Sequence, residues 1–467
     1  DANTVVQAFK KEMLGVAHGN WEHSWSKYFP GEVPKLAEIY QAAHVGLIRY
    51  AGGLWANFVM WERTPQKTPY GTYYPNPANF HPDFAEKINT GNEYNFHYGT
   101  DEIDSLAKLA KSSGAGVLIQ VNISKNDPYM WADMVHYVNI EHKYGFQYWE
   151  LGNEIDLECY QGNANACITA DEYKTRAESY IRVMKAVDPT ITIVAGAPAA
   201  AHDIVANNWT DTPNLSRYLA AGADALSFHW YTDCNLKTLD NVFAWKYDEP
   251  DTAWQHIYSR YWSYLGPARV QKEIIDPGGR SMELGITEMN IDACDVGRAP
   301  VNSNHIAALW YADVIGRLAY NGVDFVTWYE GYGNGSQGFP AVFIENEYYP
   351  TEDTIYIRPL YYAIFLYGNY FGDTLIETDG PTSEKISIYA SLDQDDPNKL
   401  FIIVTNLTAD FANTLITVTG FSPSKGSKYA LTNPNPLSLD EKSNGRDHGS
   451  TINGYQLTAG HIATAAD

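Results

Sequence analysis

The 467-residue sequence has few cysteines and no long apolar run, and several familiar motifs are missing from it. Its four cysteines form no C-x-x-C pair, which excludes a zinc ribbon of the usual spacing. No run of about 18 apolar residues occurs, so we expect no membrane span. His-Glu-x-x-His motifs, EF-hand loops and Cys/His clusters with ligand spacing are also missing, so the sequence predicts no metal site and no cofactor.

Basic residues are scarce relative to acidic ones. The sequence has 32 Lys and Arg against 56 Asp and Glu, a formal net charge of −24. Nucleic acids and anionic membranes bind basic patches, so this balance argues against both as partners. Aromatic residues are abundant instead, with 35 Tyr and 13 Trp. Aromatic rings stack on sugar faces, and the excess over what a core needs favours a carbohydrate partner.

Short apolar, β-branched runs alternate with helical patterns through most of the chain. Four helices are expected, from Thr100 onward with Thr100 as N-cap, and over Asp171–Val187, Ile306–Tyr320 and Pro359–Phe371. Strand and helix repeated eight times indicate an α/β fold, a (β/α)8 TIM barrel over residues 1–372. The predicted strands are Leu14–Gly19, Val45–Gly52, Gly116–Val121, Tyr148–Asn153, Thr190–Gly196, Ala225–Trp230, Glu283–Glu288 and Asp324–Trp328.

The pattern changes after the last predicted barrel helix. Runs at Lys385–Leu392, Lys399–Asn406 and Asn413–Val418 are strand-like, and the turns between them are rich in Gly, Pro, Asn and Asp. We therefore expect residues 373–467 to form a C-terminal all-β sandwich domain. The segment before Leu14 is expected to contribute little to it.

Two glutamates close predicted strands that face each other across the barrel mouth. Asn153-Glu154 ends the fourth strand and Thr287-Glu288 ends the seventh, at the end of a barrel where catalytic groups lie. Retaining glycoside hydrolysis needs two carboxyl groups about 5–5.5 Å apart, one as acid/base and one as nucleophile. The pair therefore indicates a glycosidase.

These residues resemble the motifs of the retaining (β/α)8 glycoside hydrolases of clan A, closest to the arabinofuranosidase and glucanase-like family 51 and its relatives, families 39 and 79. Residues 48–53 (Ile-Arg-Tyr-Ala-Gly-Gly) are similar to the Arg-x-Pro-Gly-Gly of that family, with Ala51 in place of Pro. Residues 99–102 resemble its Gly-Thr-Asp-Glu, and residues 149–154 its Trp-x-Leu-Gly-Asn-Glu. The resemblance spans roughly residues 12–370.

The resemblance implies a role for each matching residue. Glu154 would be the acid/base and Glu288 the nucleophile, with Arg49 holding Glu288 charged. Asn153 would donate to the sugar 2-hydroxyl. The remaining residues are taken as substrate-binding: His229, Tyr231, which would hydrogen-bond Glu288, Trp328 as the floor of the subsite for the reacting sugar, and Glu330, which shares strand parity with Trp328. Glu150 shares strand parity with Glu154, and a structural role is expected for it.

The four cysteines are candidates for two disulfides, and an even count fits an oxidising compartment. Cys159 and Cys167 lie in one short loop after Glu154. Cys234 and Cys294 follow neighbouring strands, so they could join two loops beside the site. Four free thiols in a cytosolic enzyme is the alternative.

The sequence thus predicts a secreted retaining hydrolase acting on an oligo- or polysaccharide with β-linkages, of the glucan, xylan or mannan type. An α-L-arabinofuranosidase and a β-glucuronidase are alternatives on the same scaffold. A non-catalytic carbohydrate-binding protein is the alternative from another class, although inactive barrels usually lose one of the two carboxylates.

Overall fold

The structure is a computed structural model of the chain. It describes residues 1–19, 30–63, 76–90, 96–160, 166–196, 221–233, 282–292, 301–333, 339–345, 350–379, 386–407, 413–434 and 449–462.

Eight parallel strands close into a barrel, which confirms the predicted TIM barrel. Each strand pairs with its neighbours in chain order, and the last strand pairs with the first. All eight predicted strands are present, with ends that differ by a few residues. They are continuous apolar runs because helices cover the sheet on one side and barrel side chains fill the other. The strands are Gly15–Gly19, Leu47–Gly52, Gly116–Val121, Tyr148–Leu151, Thr192–Gly196, Ala225–Asp233, Glu283–Asp292 and Phe325–Tyr329.

The four predicted helices are also present. Thr100 is the first helical residue rather than the N-cap, which is Gly99. The second predicted helix, observed as Ala170–Val187, is capped by the Thr169 side chain, which accepts from the Glu172 N–H. The α-helices of the described residues are Leu36–Ala42, Pro82–Ala85, Thr100–Ser113, Pro128–Val135, Ile155–Tyr160, Ala170–Val187, His305–Tyr320 and Pro359–Tyr370, and a π-helix covers His136–Glu141. None of them is long and apolar enough to cross a membrane.

Short elements elaborate the barrel loops. Val59–Trp61 pairs in parallel with Phe96–Tyr98 after the second barrel strand. A three-stranded sheet follows the eighth strand, built from Tyr332–Gly333, Val342–Ile344 and Ile355–Ile357. The 3-10 helices are Lys11–Leu14, Pro30–Glu32, Leu54–Phe58, Pro77–Asn79, Val301–Ser303 and Glu352–Thr354.

A second, antiparallel sheet of four strands stands beside the barrel, with strand order Val5–Ala8, Thr374–Ile376, Ile386–Leu392, Leu400–Asn406. Its first strand comes from the N-terminus, so the expectation that the segment before Leu14 adds little was wrong. The sheet packs on helix His305–Tyr320, where the ring of Tyr389 occupies the space left by Gly316: a Cβ there would lie 2.3 Å from the ring.

The rest of the C-terminal region is less regular than predicted. The strand expected over Asn413–Val418 is absent, and Leu415 is 93% exposed, so this run has no sheet face to bury. Leu431–Thr432 and Thr451–Ile452 form a two-stranded ladder. The division into domains at residue 372 stays a prediction.

Candidate active site

Arg49 is the centre of the site. It is fully buried on the second barrel strand, and its guanidinium binds two carboxylates and an amide oxygen. Nε donates to Glu150 Oε2 at 2.7 Å, Nη1 to Glu288 Oε1 at 2.8 Å and Nη2 to Asn153 Oδ1 at 2.9 Å. A guanidinium presents its donors in fixed directions, so one side chain aligns groups from the fourth and seventh strands. Desolvation opposes the charge of Arg49, but the two carboxylates outweigh it and raise its pKa.

Three donors surround the buried carboxylate of Glu288. Besides Arg49, Oε1 accepts from the Gly53 N–H at 3.0 Å, and Oε2 accepts from the Tyr231 hydroxyl at 2.9 Å. Burial alone would raise the pKa of Glu288. The charges of His229 and Arg49, with the hydrogen bonds from Arg49 and Tyr231, more than offset burial and hold that pKa below its usual value. Glu288 is therefore an anion at neutral pH.

Glu154 lies opposite Glu288. It precedes helix Ile155–Tyr160 and adopts a left-handed backbone conformation, with φ of 45°. Residues other than glycine seldom adopt this conformation, which is found mainly where the surrounding structure fixes it, as at active sites. A carboxylate oxygen of Glu154 lies within 4.8 Å of one of Glu288. The two carboxylates predicted from the strand ends therefore do meet.

His229, from the sixth strand, bridges the two glutamates. Its Nδ1 lies 2.6 Å from Glu154 Oε1 and 3.6 Å from Glu288 Oε2. Burial lowers the pKa of His229, but the two carboxylates raise it by more. Nε2 lies 3.4 Å from Arg49 Nη2. Arginine only donates hydrogen bonds. In the neutral form of the ring, Nε2 therefore accepts from Arg49, and the protonated Nδ1 donates a hydrogen bond to the Glu154 carboxylate.

Asn57, which sequence reasoning missed, fixes the turn that carries Asn153. Its side chain accepts from the Asn153 N–H at 3.1 Å and donates to the Asn153 carbonyl at 2.6 Å. Asn153 Oδ1 is bound by Arg49, while its Nδ2 is buried with no hydrogen-bond partner in the described structure. The site thus holds an oriented amide donor that has nothing to bind within the described protein.

The two glycines after Arg49 allow the second strand to approach Glu288. A Cβ on Gly52 would lie 2.8 Å from Arg49 Nη1 and 3.5 Å from Glu288 Oε1. Gly53 has φ of 89° and ψ of 173°, a conformation essentially restricted to glycine, and this conformation aims its N–H at Glu288. The Tyr98 hydroxyl accepts from the Ala51 N–H at 3.1 Å and secures the start of this turn.

Glu150 is buried beneath Arg49, in agreement with the structural role expected for it. Its Oε2 accepts from Arg49, and its Oε1 accepts from the Ser227 hydroxyl at 2.7 Å. A guanidinium without a counter-charge would be costly in this position. Glu150 therefore balances the part of Arg49 that does not face Glu288.

The two residues predicted at the end of the eighth strand are both buried. Trp328 has no exposed surface, packs edge-on against Trp310 and Tyr311, and donates from Nε1 to the Phe339 carbonyl at 3.1 Å. Its contact with the reacting sugar stays a prediction. Glu330 is 2% exposed, and its contact with substrate stays a prediction.

Of the four cysteines, only the side chain of Cys167 lies within the described residues. It is disulfide-bonded. The side chains of Cys159, Cys234 and Cys294 lie outside the described part of the chain, so the expected pairings stay predictions.

The chain is similar to known arabinofuranosidases in part of its sequence. The intracellular exo-α-(1→5)-L-arabinofuranosidase 1 of Bacillus subtilis is 27% identical over 226 residues, which cover 45% of this chain and 41% of that protein. The intracellular enzyme of the same name from Halalkalibacterium halodurans is 28% identical over 228 residues, covering 46% and 42%. The chain thus matches less than half the length of these relatives. No family model matches it.

Solved structures match over nearly the whole chain. The α-L-arabinofuranosidase of Thermotoga maritima in its arabinose complex gives a TM-score of 0.67 at 18% identity, covering 97% of this chain and 93% of that one. The thermostable enzyme of Thermotoga petrophila gives 0.66 at 19%, covering 98% and 95%. This chain has the fold of the clan A glycoside hydrolases. The resemblance drawn from its motifs is confirmed.

The expectation of a secreted protein is contradicted by the comparison with sequence relatives. The sequence relatives are named as intracellular enzymes. An even cysteine count was the basis of that expectation, and a disulfide-compatible count does not identify a compartment.

Proposed function

We propose that this chain is an α-L-arabinofuranosidase that hydrolyses its substrate by double displacement, with Glu288 as nucleophile and Glu154 as acid/base. The observation that carries the proposal is the approach of the two carboxylates to within 4.8 Å at the ends of the fourth and seventh strands. This spacing suits a retaining mechanism, whereas inverting enzymes hold the two groups about 6.5–9.5 Å apart to admit a water molecule.

The arabinofuranoside substrate replaces the β-glycan predicted first. The sequence relatives are named exo-α-(1→5)-L-arabinofuranosidases, and their names support the alternative rather than the glucan, xylan or mannan preference. The likeness to glucanases and xyloglucanases, at 13–14% identity, concerns the fold alone.

The first step forms a bond between Glu288 and the anomeric carbon. As the bond from that carbon to the leaving oxygen breaks, Glu154 transfers its proton to that oxygen, and the alcohol departs. Glu288 must enter this step as an anion, and the donors from Arg49, Gly53 and Tyr231 keep it so. These fixed donors need no reorganisation during the reaction.

In the second step Glu154 acts as a base and Glu288 is the leaving group. Glu154, now ionised, removes a proton from water while the oxygen of that water attacks the anomeric carbon and releases Glu288. His229, 2.6 Å from Glu154, orients this carboxylate in both steps. The unpartnered Nδ2 of Asn153 supplies a donor for a hydroxyl of the bound sugar.

The proposal is tested with an aryl α-L-arabinofuranoside and two variants. Glu288→Ala should lower kcat/KM by about 10⁴-fold or more, since losing one member of a catalytic unit has effects of that size. Glu154→Ala should accumulate the glycosyl-enzyme, because a good aryl leaving group needs no proton whereas the attack of water needs a base. Added azide should then give the retained α-azide with Glu154→Ala and the inverted β-azide with Glu288→Ala.

Glu38→Ala, an exposed glutamate on helix Leu36–Ala42, is the matched control and should behave as the unaltered chain does. Substantial activity in Glu288→Ala would refute the mechanism. Turnover of aryl β-glucosides or β-xylosides in place of the arabinofuranoside would refute the substrate assignment and leave the mechanism standing.

A further inference from the structure

A second cluster of ligating side chains is built from elements that carry none of the candidate active-site residues. His81 precedes the short helix Pro82–Ala85, and His136 and Glu141 stand at the two ends of the π-helix. One nitrogen from each imidazole and one carboxylate oxygen lie within 4.8 Å of one another. We propose that His81, His136 and Glu141 form a zinc-binding site.

The donor set suits zinc. Two imidazoles and a carboxylate are common zinc ligands, with bonds of about 2.0–2.2 Å, and water completes the tetrahedron. Such bonds hold ligand atoms about 3.3 Å apart. His136 Nδ1 and Glu141 Oε1 are already 2.9 Å apart, and the rings of His81 and His136 lie with their centroids 4.3 Å apart and their planes tilted by 33°. Small side-chain rotations therefore suffice, with the metal taking the place of the proton between His136 and Glu141.

The π-helix creates this arrangement. In an α-helix, with 3.6 residues per turn, His136 and Glu141 would point about 140° apart. The wider i→i+5 turn brings the fifth residue back over the first. Regular α-helical geometry would thus separate these two ligands, and π-turns occur frequently at functional sites.

The buried carboxylate of Asp133 holds the backbone of His81 in position. Asp133 is fully buried on the preceding helix, and its Oδ1 accepts from the His81 N–H at 2.8 Å. Arg63 binds Asp133 and also Glu141 Oε2, at 2.8 Å. Asp83 Oδ2 lies 3.6 Å from His81 Nδ1. Asp133, Glu141 and Asp83 thus bring three carboxylates to this cluster against the single arginine, which leaves an excess of negative charge for a cation.

Zinc bound at this site would join the loop between the second and third barrel strands, which carries His81, to the π-helix that follows the third strand. The ligand side chains are 20–31% exposed, so a metal ion can reach them from solvent. Because the unfolded chain lacks the preformed site, bound zinc would stabilise the fold.

The experiment is a competition titration of the full chain with a chromophoric zinc indicator, with melting temperature as a second readout. We expect a zinc ion bound at this site that raises the melting temperature. His81→Gln and His136→Gln should each weaken that binding by at least about 10-fold and abolish the shift. His142→Gln, next to the π-helix, is the matched control and should bind as the unaltered chain does. Circular dichroism without zinc verifies that the variants are folded.

Glu154, His229 and Glu288 also lie within 4.8 Å of one another and could bind zinc instead. Glu288→Gln separates the two sites, since it should leave the proposed binding unchanged. The proposal is overturned if the chain binds no zinc, if His81→Gln and His136→Gln bind it as well as the unaltered chain does, or if Glu288→Gln alone abolishes binding.

Discussion

Replacing Tyr231 by Phe removes a single hydrogen bond to the proposed nucleophile and should leave a pH signature. The phenol donates to Glu288 Oε2 at 2.9 Å, and burial beside Glu288 keeps the pKa of Tyr231 well above its usual value, so it is always a neutral donor. Its loss destabilises the ionised form of Glu288 and leaves the protonated form little affected. A hydrogen bond to a charged group contributes about 1.5–3 kcal/mol.

That energy converts to a loss of about 10- to 150-fold in kcat/KM under acidic conditions, where the ionised fraction of Glu288 limits the rate. The loss should shrink toward neutral pH, because Arg49 and the Gly53 N–H still keep Glu288 ionised there. The assay is hydrolysis of an aryl α-L-arabinofuranoside from acidic to neutral pH. The acid limb of the variant should move to higher pH.

Tyr356→Phe is a matched control, since Tyr356 donates to Glu345 Oε2 at 3.0 Å in a different loop. It should leave the ratio of variant to unaltered activity constant with pH. If Tyr231→Phe also gave a constant ratio, or moved the acid limb to lower pH, the assigned role of this hydrogen bond would be refuted.

Three further predictions concern titration and backbone conformation. Because the pKa of Glu288 is held below its usual value, the acid limb of kcat/KM for the unaltered chain should fall at a lower pH than an ordinary glutamate would give; a limb above the ordinary glutamate range would contradict the electrostatic argument. Gly53→Ala should cost about 1–3 kcal/mol of strain and lower kcat, since φ of 89° disfavours a side chain; unchanged stability and kcat would count against this. Burial raises the pKa of Asp127 to about 6, so stability is lost as pH rises from 3.8 to about 6. Asp127→Asn should therefore gain up to about 3 kcal/mol in denaturant unfolding at neutral pH and little in acid, and an equal gain at both would refute the assignment.

The barrel and its two glutamates could be predicted because both depend on local pattern. Buried parallel strands are short continuous apolar runs, and a barrel brings the ends of those runs to one mouth. Predicting Glu154 and Glu288 therefore required no knowledge of contacts between distant segments.

The parts that could not be predicted depend on contacts between distant segments. Asn57 binds Asn153 across 96 positions, from an irregular turn whose sequence has no distinguishing motif. Val5–Ala8 is a four-residue edge strand whose partner lies near the other end of the chain. Aromatic character alone could not tell whether Trp328 would face a sugar or pack in the core. The cluster of His81 with His136 and Glu141 depends on a π-turn, and no helical period indicates one.

Covalent trapping of the nucleophile tests the central claim most directly. A 2-deoxy-2-fluoro-α-L-arabinofuranoside with a good leaving group should inactivate the protein and add one sugar mass per chain. Peptide mass spectrometry should find that sugar on Glu288, and Glu288→Gln should take up none. Labelling of another residue, or normal turnover without a covalent adduct, would contradict the account.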